Sequence, residues 1–168
     1  GSKGLSVGAI DTGALAHALG DPVRIAALLE GASFPASLWS GAELRFTWTN
    51  ATFLDLLGDV RPRWDLLGMP VRGFLSDSHS ASRFIDVAYT GHPLTVPEYE
   101  FRSSWGDVTY WQLSYLPIPG RLTDPYNVLF LGIDISADVR DRVQRERVAR
   151  DLRIATELID VTVLSSLD

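Results

Sequence analysis

The sequence predicts an α+β domain: an antiparallel sheet with short helices on one face and a long helix at its C-terminal end. Three observations carry this. Residues 96–102, 108–118 and 126–134 are strand-like runs joined by tight turns, which makes them antiparallel neighbours. Between Asn50 and Tyr89 lie short helical segments closed by glycines. From Ser136 to about Ile159 the chain reads as one uninterrupted helix.

The elements follow in order. Residues 1–10 read as a lead-in, and Asp11-Thr12 can cap a helix over about residues 13–19 that stops at Gly20. Asp21-Pro22 is a fresh start signal, proline suiting the first helical position. Ile25, Leu28 and Leu29 share one face of that second helix, which ends near Gly31. Leu44, Phe46 and Trp48 alternate with Arg45, Thr47 and Thr49, a one-sided strand after the turn Ser40-Gly41-Ala42-Glu43. Asn50 caps a short helix carrying Phe53, Leu56 and Leu57, closed by Gly58. A loop with Pro62 leads to a turn over residues 64–67 and Gly68, and residues 82–89 form a helix with Phe84, Ile85 and Ala88 inward. Ser136 is the expected N-cap of the last helix, with Asp138 favourably placed in its first turn. About 24 residues of helix span roughly 36 Å.

Composition bounds the function. The 168 residues are 46% hydrophobic and 21% charged, which is a globular balance. A chain of this length buries about 70% of its unfolded surface and needs no staple. Cysteine is absent, which removes disulfides, thiolate catalysis and zinc–cysteine sites. The net charge of −6 argues against nucleic acid as a partner. No apolar run approaches the roughly eighteen residues of a membrane span. The opening Gly1-Ser2 reads as a trimmed tag, so a fragment of a longer protein is expected.

Five motifs then occur in order over about residues 34–140. They are Phe46-Thr47-Trp48-Thr49-Asn50-Ala51-Thr52-Phe53, Leu67-Gly68-Met69-Pro70, and Tyr89-Thr90-Gly91-His92-Pro93. Tyr110-Trp111-Gln112-Leu113-Ser114-Tyr115-Leu116-Pro117-Ile118 and Asp134-Ile135-Ser136 complete the set. In this order they resemble the PAS sensor family, and most of all the PAS domains of multidomain bacterial kinases and phosphatases. The resemblance implies a five-stranded antiparallel sheet. It divides the chain into an N-terminal helical cap over residues 1–32, a PAS domain over 33–135 and an exit helix over 136–168. Asn50, Asp134 and Ser136 are then structural and signalling positions. A cytoplasmic placement goes with the resemblance.

Strand parity places Trp111, Leu113 and Tyr115 on one face and Gln112, Ser114 and Leu116 on the other. By family alignment, the concave face carries Gln112, Ser114 and Phe130. The expected pocket is therefore Phe46, Trp48, Tyr99, Phe101 and Phe130 as walls, with Gln112 and Ser114 as polar points. An apolar enclosure with a few polar groups describes a small-molecule site. A pocket filled by its own aromatics is the competing reading. The Trp111 face, with Leu129, Leu131 and Ile133, becomes an outer patch too apolar to leave in water. It is expected under the N-terminal helices or a second subunit.

No phosphate loop, dinucleotide glycine pattern or metalloprotease motif is present. Asp77-Ser78-His79-Ser80 lacks triad geometry. Glu98 and Glu100 read as solvated strand residues. The chain is expected to be non-catalytic. The flavin adduct of light-sensing relatives needs a cysteine, though Gly132 falls where those relatives place a flavin-contacting amide. Haem would need a histidine; His79 is the candidate, with a surface or capping role favoured, and His92 and His17 have weaker claims. The sequence specifies no cofactor, and haem or flavin stands as the alternative. Val148, Leu152, Ala155 and Ile159 keep heptad spacing. The stretch from Glu146 to Arg153 resembles a histidine-kinase acceptor box with Arg153 in place of the histidine. A homodimer through the N-terminal helices, outer sheet face and exit helix is expected, with an effector domain downstream. The leading expectation is a ligand-binding signal-transduction module of a two-component or related pathway. A dimerisation module without ligand is the third reading.

Overall fold

The computed structural model describes residues 22–57, 63–75, 77–103, 105–120 and 125–166. The helix expected over residues 13–19, Gly58 and Pro62 lie outside the described residues. Eleven elements follow in order: α1 (Pro22–Leu29), β1 (Ala36–Ser40), β2 (Arg45–Thr49), α2 (Ala51–Leu57), α3 (Arg63–Leu66), α4 (Val71–Phe74), α5 (Ser78–Thr90), β3 (Leu94–Arg102), β4 (Val108–Ile118), β5 (Asn127–Asp134) and α6 (Ser136–Ser166). They group into two compact units, the first ending at Asp134 and the second starting at Ile135.

The sheet has five strands in the order β2-β1-β5-β4-β3, and every pair is antiparallel. Strand β1 is the one that patterning does not announce. Its burial leaves only Ser40 partly exposed, so it shows no polar alternation. Both edges are blunted. On β3 the register skips between Val96 and Tyr99, at Pro97, as befits proline on an edge strand. Beside β2, Phe46 N donates to Met69 O (2.8 Å) and Val71 N to Leu44 O (2.9 Å), so the α3–α4 connection covers that edge.

Asn50 ties three elements together. Its Oδ1 accepts from Phe53 N (3.1 Å), capping α2, and from Ala36 N (3.0 Å) at the start of β1. Its Nδ2 donates to Leu29 O (3.1 Å) and Phe34 O (2.9 Å), closing the end of α1. All four hydrogen-bonding positions of a fully buried amide are filled.

Helix α5 starts four residues earlier than the apolar pattern indicates. Asp77 caps it, accepting from His79 N (3.0 Å) and Ser80 N (3.2 Å). It ends at Gly91 with φ 69°, where an added Cβ would lie 2.7 Å from Tyr126 Cε2. No other residue meets both demands.

Each face of the sheet carries its own core. The inner cluster includes Trp39, Phe46, Phe53, Phe84, Tyr115 and Phe130. The outer cluster sets Ile25 and Leu29 of α1 against Leu38, Ile118, Leu129 and Leu131. Burying an aliphatic side chain of this size is worth about 1.5–3 kcal/mol, so α1 is part of the fold's stability.

The expected outer patch is corrected here. Trp111, Leu113 and Tyr115 lie on the inner face, and Gln112 and Ser114 on the outer one. The β4–β5 register is the reason. Tyr115 pairs with Phe130 and Leu113 with Gly132, and directly paired residues share a face. Leu129 and Leu131 remain outside, where they are covered.

The second unit is the 31-residue helix α6, about 46 Å long. It starts at Ser136 itself, with Ile135 O accepting from Val139 N (3.0 Å). The cap therefore falls one residue before the expected Ser136. The helix also continues past Ile159 to Ser166. Val148, Leu152 and Ile159 are exposed along it. No helix among the described residues is long and apolar enough to cross a membrane.

Candidate functional site

Between the inner face of the sheet and helices α2, α4 and α5 lies a cavity of about 120 Å³. Its floor is Trp39, Tyr99, Phe101, Trp111, Leu113 and Tyr115 from the sheet, with Phe130 of β5. Phe53, Leu56 and Leu57 of α2 close one side, and Ser80, Arg83 and Phe84 of α5 another. The walls brace one another through aromatic contacts. Phe84 meets Tyr115 edge-on at 5.0 Å, and Tyr115 meets Phe130 at 5.3 Å.

The polar groups in these walls are mostly committed. Trp39 Nε1 donates to Ser37 Oγ (2.9 Å), and Trp111 Nε1 to Thr109 Oγ1 (2.8 Å). Ser80 Oγ donates to Asp77 Oδ2 (2.7 Å). That bond and the His79 amide hold the Asp77 carboxyl below the usual carboxylate range. Burial pushes the Tyr115 hydroxyl above its ordinary value, and Arg83 offsets part of the rise. Among the described residues Arg83 is the one cation in the lining. Its guanidinium lies over the Tyr99 ring, 5.6 Å from the centroid, and beside the Tyr115 hydroxyl, while its Nη1 is buried without a hydrogen-bond partner among the described residues.

Of the residues expected to form the pocket, Tyr99, Phe101 and Phe130 line this cavity. Phe46 faces the same side but sits behind the wall, stacked on Phe74 at 5.3 Å. Trp48, Gln112 and Ser114 are corrected: all three are on the outer face. Trp48 pairs with Leu38 and donates its Nε1 to Glu30 Oε2 (2.9 Å). A bulge at Thr47 turns it outward, because the register moves from Trp48 opposite Leu38 to Phe46 opposite Trp39. Gln112 is exposed and pairs with Ile133; Ser114 pairs with Leu131. The important residues missed by sequence reading are Trp39, Trp111, Leu113, Tyr115 and Arg83. Arg83 was within reach, since it precedes Phe84 on a helix already assigned an inward face.

Haem and flavin match this geometry poorly. Groups of that size call for pockets of about 300–1,000 Å³, and among the described residues no histidine lines the cavity of 120 Å³. His79 is exposed at the start of α5. Gly132 is buried under its neighbours, an added Cβ meeting Pro35 Cγ at 3.2 Å and Trp111 Cε3 at 3.4 Å. No group of three or more metal-ligating side chains occurs among the described residues.

Comparison with solved structures identifies the architecture. The chain is similar to an RNA-binding light-oxygen-voltage receptor, with a TM-score of 0.56 and 18% identity over 91% of this chain. It spans only 42% of that receptor. It is also similar to the PAS domain of Bordetella pertussis BvgS, with a TM-score of 0.53 and 17% identity over 74% of this chain and 95% of that one. The fold is that of a PAS domain. A sensory box histidine kinase/response regulator from Burkholderia thailandensis matches this PAS fold as well, with a TM-score of 0.50 and 17% identity, covering 77% of this chain and 98% of that one. No family model and no curated protein matches the chain.

Proposed function

We propose that this PAS domain is the sensory module of a signalling protein, binding a small molecule in its inner cavity and passing the bound state to an effector through α6. The observation that carries the reading is the continuity of β5 with the last helix. Phe130 is a cavity wall, β5 ends at Asp134, and α6 begins at Ser136. A ligand that favours one position of β5 therefore acts on the strand that leads into the helix. The cavity is the size of those that hold a single benzene ring, about 150 Å³. Binding rather than turnover is the proposed activity, and the exposed heptad residues of α6 are its proposed dimer contact. Packing of α1 against Leu129 and Leu131 supports a contact through α6 in preference to the outer sheet face.

The test uses toluene and a variant that fills the cavity, Leu56→Phe. Toluene should raise the melting temperature of the wild type saturably and leave the variant unmoved. A wild type that toluene does not stabilise would contradict the proposal.

A further inference from the structure

Arg83 Nη1 is a charged donor shut away from solvent with no partner among the described residues. A guanidinium stays protonated at any ordinary pH, so its burial costs free energy until an acceptor reaches it. The Tyr99 ring supports one face of the guanidinium plane but accepts nothing from the N–H groups within it. Water is a poor substitute. A buried water needs two to four polar partners, and beside Arg83 the wall offers only the Tyr115 hydroxyl, the indole and Ser80 protons being already bonded. What remains is a guanidinium in the wall of a mostly apolar cavity, with the Tyr115 hydroxyl beside it.

We infer that the cavity takes a small monocarboxylate with a compact apolar body, the carboxylate accepting from Arg83 and the body enclosed by Trp111, Leu113, Phe84 and Phe130. A carboxylate presents two oxygens in one plane, matching the guanidinium fork. Among the described residues Arg83 is the single cation lining the cavity, and a monoanion balances that charge where a phosphate dianion would exceed it. The volume of about 120 Å³ confines the body to about one ring or a short branched chain. The inference rests on the sensory reading above and adds the chemistry of the signal.

The test compares benzoate with benzamide, its neutral isostere, by calorimetry on the full chain, with Arg83→Gln as the variant and toluene as the uncharged control. Benzoate should bind the wild type on the order of tenfold more tightly than benzamide, and the gap should close in Arg83→Gln while toluene binding persists. Equal binding of benzoate and benzamide by the wild type would overturn the carboxylate inference and leave the cavity reading intact. A gap that survives in Arg83→Gln would overturn the assignment to Arg83. Failure of all three compounds to bind the wild type would remove the cavity reading itself, and this inference with it.

Discussion

Phe46 and Trp48 are two positions apart on one strand, yet they face opposite sides of the sheet. Phe46 lies opposite Trp39 in the inner core, and Trp48 lies opposite Leu38 on the outer face. Thr47 makes this possible. It is the extra residue of a bulge, and its Oγ1 donates to Leu38 O (3.0 Å), the carbonyl beside the disrupted ladder. Removing that hydroxyl with Thr47→Val should cost about 1 kcal/mol. The measurement is the midpoint of denaturant unfolding, with an unchanged slope. A midpoint equal to that of the wild type would mean that the bulge holds without the bond.

The same bulge marks where sequence reading stops. Alternation in β2 is a period-two pattern, and one inserted residue reverses it without any change in composition. The β4 assignment failed for another reason. The inward face rested on the family alignment, although Gln112 and Ser114 are more polar than Trp111, Leu113 and Tyr115, which the structure buries. The register with β5 chooses, and register is a tertiary fact. Local chemistry was legible at Asn50 as a cap, Gly91 as a helix end and Pro22 as a helix start, and less so at the caps Asp77 and Ile135. The cavity was legible in Tyr99 and Phe101, an aromatic pair alternating with glutamates, and in Phe130, which the family alignment placed inward.

Asn50→Ala should cost roughly 3 kcal/mol, because it leaves two buried amides and two carbonyls to find new partners. Asn50→Asp should also destabilise, since a carboxylate oxygen would face Leu29 O and Phe34 O in place of a donor. Equilibrium unfolding measures both. Stability within a few tenths of a kcal/mol of the wild type for either variant would contradict the clamp.

Leu29→Ala should cost about 2–4 kcal/mol, as expected for a large-to-small change in a packed core. Deleting residues 1–31 should expose Leu129, Leu131 and Ile118 together and give a protein that aggregates. Static light scattering reads this directly. A monodisperse, cooperatively folding truncation would show that α1 is dispensable.

Tyr115 gives the fold an alkaline limit. Its folded-state value is raised above the ordinary 10.0 by burial. The stability associated with the neutral hydroxyl is therefore complete below about pH 10 and is lost as pH rises through the folded value. Tyr115→Phe should flatten the decline of stability above pH 10, measured by urea unfolding across that range. An unchanged alkaline slope would assign the decline to other groups.

The central claim is that occupancy of the inner cavity is felt by α6. Amide hydrogen exchange along residues 136–166, with and without saturating toluene, tests it most directly. The account predicts altered protection at the start of the helix in the wild type and none in Leu56→Phe. Unchanged exchange throughout α6, under conditions where calorimetry shows the cavity filled, would contradict it.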